Sequence, residues 1–67
     1  MGNKIDIGNL IGKRLIEVGM TKAEFARRIN YSRGTVYNIL NNSTIDVVRL
    51  QKISIVLEFN FLELYKE

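Results

Sequence analysis

A chain of 67 residues, with ten Lys+Arg, seven Asp+Glu and no His, Cys, Pro or Trp, makes one domain (1–67) whose small core must assemble without disulfide or zinc. The missing His and Cys remove the commonest general base, the commonest thiol nucleophile and the usual zinc or iron–sulfur ligands, so neither an enzyme nor a cofactor or metal site is expected. No apolar run approaches the roughly 18 residues of a membrane span, and MGNKIDIGN has no unbroken apolar stretch of a signal peptide, which implies a cytoplasmic chain with no membrane partner.

Ile7, Ile11, Leu15 and Val18 fall on one stripe of an amphipathic helix that Gly19 ends. Thr21 and Glu24 have the spacing of a capping box, in which hydroxyl and carboxylate each satisfy an orphan N–H at a helix start. They predict a second helix from about Lys22 to Ile29, burying Phe25, Ala26 and Ile29. Asn30, which tolerates the left-handed conformation, stops it. Ser32 caps a third helix over about Arg33–Leu40, with Val36, Ile39 and Leu40 inward and Gly34, Tyr37, Asn38 and Asn41 on the opposite face. The polar stretch Asn41-Asn42-Ser43-Thr44 breaks the chain again. Ser43 with Asp46 has capping-box spacing, and the fourth helix is expected to bury Val47, Leu50, Ile53 and Leu57, with the small Ser54 where another helix can pack closely. Asn60 caps a last short helix through Phe61, Leu64 and Tyr65. The residues Ile53 to Phe61 also read as a strand, but no partner strand is available. The expectation is all-α with five helices.

Charge is uneven along this order. Between Lys13 and Arg33 six basic residues face two acidic ones, a local net charge of +4, whereas the remainder from Gly34 onward is slightly acidic. Such a distribution suits a polyanion on one face, and equally a solvated helix surface with Glu24 paired to Arg27 or Arg28. The segment TKAEFARRINYSRGTVYNIL decides between them. Two short helices joined by a three- or four-residue turn pack at a large angle, letting the first cross a phosphate backbone while the second enters the major groove. Ala26 lies where the two would cross, and a larger side chain there would push them apart.

With Thr21, Lys22, Phe25, Ala26, Ile29, Ser32, Val36 and Ile39 in these positions, the segment at about 21–40 resembles the helix-turn-helix of Cro/C1-type (XRE-like) phage and bacterial regulators. The resemblance runs from Ile7-Gly8 to Leu50, Ile53, Leu57 and the terminal FNFLEL, and is closest to the small stand-alone members. It implies a five-helix lambda-repressor-like DNA-binding domain. Asn30 and Glu58 stand where that family often has Gly, Tyr37 where it is often small, and Leu40 where an acidic residue is frequent, so no particular recognition code is carried over.

On this reading Arg33 opens the reading helix, where an Arg can bond O6 and N7 of guanine, and Asn38 one turn on can pair with N6 and N7 of adenine. Gly34 permits close approach to bases, and Tyr37 meets a thymine methyl or a phosphate. Thr21, Lys22, Arg28, Thr35, Asn41 and Ser43 are the candidates for phosphate oxygens. A solvated charge is the alternative for Lys22 and Arg28, a phosphate or solvent contact for Arg33, and a plain surface amide for Asn38. Met20 reads as a core or hinge filler. The implied partner is double-stranded DNA, bound in the cytoplasm at the nucleoid by a transcriptional regulator, most simply a repressor. An antitoxin-like regulator and a protein-interaction module that has lost DNA binding are the rivals. A homodimer is expected through Phe61, Leu62 and Tyr65, because the aromatic-rich C-terminal segment carries more apolar surface than so small a core can bury.

Overall fold

The computed structural model describes residues 5–65, less the Tyr65 side chain. Four α-helices, α1 (Ile7–Val18), α2 (Lys22–Ile29), α3 (Arg33–Leu40) and α4 (Val47–Leu57), precede a 3₁₀ turn at Phe61–Tyr65, and no strand occurs among the described residues. The fifth helix is thus a single tight turn, held by the Asn60 side chain, which accepts from Leu62 N–H at 3.2 Å. Helices α1 and α2 each pack on both α3 and α4, and the terminal turn lies on α4.

The core follows the helical stripes. Ile7, Ile11 and Leu15 of α1 meet Phe25 and Ile29 of α2, Val36 and Ile39 of α3, and Leu50, Ile53 and Leu57 of α4, all buried. Two expected members fall outside it: Val18, the last residue of α1, is 42% exposed, and Val47 is 59% exposed. Val47 points outward because α4 begins later than the Ser43 spacing predicts. Asp46, in extended conformation, is the N-cap, and its carboxylate accepts from Arg49 N–H. Ser43 is otherwise engaged, its carbonyl accepting from Ile7 N–H at 3.1 Å.

That bond belongs to the closest backbone approach in the fold. Gly8 N–H donates to the Asn42 carbonyl at 3.0 Å, so the start of α1 sits on the carbonyls that end α3. A Cβ at Gly8 would lie 2.4 to 2.7 Å from the carbonyl oxygens of Asn42, Leu40 and Ile39, far inside van der Waals contact. Only glycine permits the seam. Gly12, one turn along the same helix, meets nothing within 4 Å of a built Cβ.

Three left-handed residues end the helices, Gly19 (φ 72°), Asn30 (φ 66°) and Glu58 (φ 53°). Glu58 adopts this conformation at a cost of roughly 1 kcal/mol relative to glycine. Its N–H donates to the Ile55 carbonyl, closing α4. Ser54 completes the corner: its hydroxyl donates to the Leu50 carbonyl at 2.8 Å and accepts from Phe61 N–H at 3.3 Å, tying the terminal turn to α4.

The two glycines of α1 provide a paired test. Gly8→Ala is expected to cost about 1–3 kcal/mol, the range for overpacking, whereas Gly12→Ala should stabilise by about 0.4–1 kcal/mol through helix propensity and a less disordered unfolded chain. Urea denaturation followed by circular dichroism measures both, and a Gly8→Ala chain as stable as the parent would refute the seam.

Candidate nucleic-acid interface

The α2–turn–α3 unit is built from its caps. Thr21 accepts from Glu24 N–H through its hydroxyl at 3.1 Å, as the spacing predicts, but only half of the capping box forms. The Glu24 carboxylate turns along the helix to Arg28, with an oxygen 2.9 Å from the guanidinium, instead of back to the Thr21 backbone. Asn30 takes the left-handed position, and both its N–H and that of Tyr31 reach the Ala26 carbonyl. Ser32 then caps α3, accepting from Thr35 N–H at 3.1 Å and donating its own hydroxyl proton to Thr35 Oγ1 at 3.0 Å. Ala26 is buried beneath α3, which lets the two helices approach.

Helix α3 turns Val36 and Ile39 wholly into the core, half-buries Leu40, and leaves Arg33, Gly34, Tyr37 and Asn38 exposed on the outer side. None of those four outward residues fills the interior. Lys22 Nζ stands 5.5 Å from the Tyr37 ring centroid, a cation–π contact that joins the start of α2 to the middle of α3. Thr21, Lys22 and Asn41 line one open groove of about 500 Å³, which continues along α1 past Lys13. The structure therefore brings these candidates together: Arg33, Gly34, Tyr37 and Asn38 on the outer face, with Thr21, Lys22 and Asn41 along one flank. Thr35 and Ser43 are less free, the first taking the Ser32 hydrogen bond on its hydroxyl and the second holding α1 through its carbonyl while its side chain stays exposed. Gly34 is not forced by crowding, the nearest atom to a built Cβ being Ser32 Oγ at 4.0 Å.

Arg28 lies elsewhere. Besides its pair with Glu24 it borders a shallow depression with Lys52, Ile55 and Val56 of α4, apart from Lys22 and Asn41. Arg14, counted among the basic cluster by sequence, is a structural cation. Its Nε donates to the Leu57 carbonyl at 3.1 Å and its guanidinium also reaches the Glu58 carbonyl and Glu17, while stacking 5.4 Å from the Phe59 ring. It caps α4, where a positive charge opposes the helix dipole favourably. Lys13, Lys22, Arg27 and Arg33 form no ion pair among the described residues, so these remain for a polyanion.

Sequence reasoning also missed Asn42, whose side-chain amide donates to the Asn38 carbonyl at 2.6 Å and closes the end of α3. A run of two asparagines at a helix end is the only signal for it. The proposed dimer surface needs correction. Phe61 is 1% exposed, closing the core below α4 with its ring 4.7 Å from that of Phe59, and it is not left over for a partner. Leu62 is half-buried against the same core, and the Tyr65 side chain lies outside the described residues. Phe59 and Leu64 are the apolar side chains that this end does expose, at 40% and 36%.

Comparison with known families agrees with this geometry: a family model described as helix-turn-helix matches residues 11–64. A search of curated proteins found no match.

The division of cations is testable in one variant. Arg14→Gln is expected to lower stability by about 1 kcal/mol, the net worth of a typical hydrogen bond, while leaving the salt dependence of DNA binding unchanged. Urea titration and filter binding over a salt series measure the two effects, and a flattened salt dependence without loss of stability would return Arg14 to the binding face.

Proposed function

The chain belongs to the Cro/C1-type helix-turn-helix family of DNA-binding transcriptional regulators, and on that premise we propose a sequence-specific repressor that occupies its operator with α3 in the major groove. The observation that carries this reading is the outer face of α3. Arg33, Gly34, Tyr37 and Asn38 are exposed there, beside Lys22 at the start of α2, and none of them is needed to fill the core.

A major groove about 12 Å wide admits one helix, and Arg33 and Asn38 carry the donor geometry for guanine and adenine. Gly34 keeps the helix backbone close to the base edges, with Tyr37 at the groove wall. Lys22 and the open N–H groups beginning α2 meet phosphate oxygens, helped by Thr21 and Asn41, and more weakly by the half-buried Thr35 and the exposed Ser43 side chain. Arg28 is left out of this set because Glu24 holds it on the α4 side. Binding excludes polymerase from the operator. No chemistry on the DNA is required.

One module of this size buries only about 600–1,000 Å², too little to single out one site in a genome, so the working form is a symmetric dimer reading half-sites about 34 Å apart. Leu62, with the exposed Leu64 and Phe59 beside it, is the surface we assign to the partner copy. The place of action is the cytoplasm, at the nucleoid.

Selection of duplexes from a random-sequence library by the purified chain tests the reading. An enriched motif with two half-sites is expected. On it, Arg33→Ala or Asn38→Ala should cost about 1–3 kcal/mol and much less on random duplex, whereas Lys22→Ala should weaken both alike and flatten log K against log salt by about one unit. Retention of no duplex would leave the protein-interaction reading in its place. Sedimentation with Leu62→Glu and Leu64→Glu tests the dimer, and a monomer that fills both half-sites without cooperativity would overturn it.

A further inference from the structure

Asn42 serves the seam and the reading helix at once. Its carbonyl accepts from Gly8 N–H at 3.0 Å and holds the start of α1. Its side-chain amide donates to the Asn38 carbonyl at 2.6 Å and closes the end of α3. The next residue, Ser43, gives its own carbonyl to Ile7 N–H. Two consecutive peptide units therefore carry the junction of α1 with α3.

A chemical weakness lies between them. Asparagine is a labile residue, and most so before a small neighbour, whose backbone nitrogen approaches the side-chain amide carbon with little hindrance. Every other asparagine of the chain is followed by a bulky side chain, whereas Asn42 is followed by Ser43. Both residues are exposed and lie in the irregular stretch between α3 and α4, outside any helical hydrogen-bond ladder. An open cleft of about 320 Å³, bordered by Asn38, Asn42 and Arg49 among others, leaves the amide accessible to water.

We propose that Asn42 is a site of spontaneous deamidation that limits the working lifetime of the domain. The Ser43 nitrogen attacks Asn42 Cγ, the amide nitrogen departs as ammonia with the proton that Ser43 gives up, and a five-membered succinimide closes. Water then opens the ring at one of its two carbonyls, leaving aspartate or isoaspartate. The balance is closed by water alone: one amide and one water become one carboxylate and one ammonium. Either product undoes what the amide did. Aspartate loses the donor to the Asn38 carbonyl and sets a negative charge at the negative end of α3. Isoaspartate adds a methylene to the main chain inside the seam, where Gly8 already sits against three carbonyl oxygens. The bond to Asn38 fixes the amide against α3, so the reaction starts from chains in which that end has frayed. The loss of operator binding, unlike the chemistry, rests on the function proposed above.

The test ages the purified full chain in warm, mildly alkaline buffer made with heavy-oxygen water, and sequences the tryptic peptide Gly34–Arg49 by tandem mass spectrometry. Heavy oxygen is expected at residue 42. Ser43→Val, which crowds the attacking nitrogen and keeps the seam carbonyl, should slow its uptake several-fold. The deamidated chain, separated by its added charge on ion exchange, should show a folding equilibrium constant lowered roughly tenfold in urea, the combined effect of one lost hydrogen bond and an adverse charge at a helix end. It should also be retained more weakly on duplex than the fresh chain. Asn42→Asp made directly should reproduce the aspartate product, and the aged sample carries the comparison if that variant does not fold. Heavy oxygen absent from residue 42, or taken up equally fast by Ser43→Val, overturns the site, and a deamidated chain as stable as the fresh one overturns its effect on the seam. A fresh chain that retains no duplex overturns the operator reading alone, since the label and the urea transition are read without DNA.

Discussion

Where α1 starts, two backbone N–H groups, those of Ile7 and Gly8, are satisfied by the Ser43 and Asn42 carbonyls beyond the end of α3. The positive end of one helix thereby meets the negative end of another, and four unpaired groups become two hydrogen bonds. Everything on the outer face depends on this seam. It fixes the angle of α3 against α1, and with it which side chains face out. The absence of a methyl group at Gly8 is what allows the helix ends to touch.

From that seam the cations divide by distance from α3. Arg14 is drawn to the opposite end of the bundle, where the α4 carbonyls and the Phe59 ring hold it. Arg28 is neutralised along its own helix. Lys22 rests on Tyr37 of α3, and Arg49 with Lys52 of α4 rests on Tyr31 in the turn before α3. Net charge is therefore a poor guide to the electrostatics of this domain. What counts is which guanidinium already has backbone carbonyls to serve.

How much of this was legible in the sequence follows from the range of each interaction. Thr21, Asn30 and Ser32 act on groups within four residues, so their caps and the bounds of α2 and α3 could be read directly. Gly8 and Arg14 act on partners 34 and 43 positions away, and no local pattern announces them. Ser43 and Asp46 are both competent caps, and the choice went to Asp46 because the Ser43 carbonyl is occupied by α1. Phe61 looked like surplus apolar surface only while the space below α4 was unknown. The Ser54 hydroxyl directs the chain back into that space, and the ring fills it. The outward residues of α3 were legible because a helix with Val36 and Ile39 buried and Leu40 half-buried on one side leaves the other side known. The Tyr31 cluster was not, since it joins a turn to a helix through the fold alone.

The exposure of Arg33, Gly34 and Asn38 has a further consequence. Since none of them touches the interior and a side chain at Gly34 has open space, the positions assigned to base reading are uncoupled from those that keep the chain folded. Substitutions there cost the fold almost nothing, whereas any side chain at Gly8 runs into backbone carbonyls. A domain arranged in this way is permissive on its outer face and rigid at its seam: the surface it presents can change from one generation to the next while its architecture stays constant.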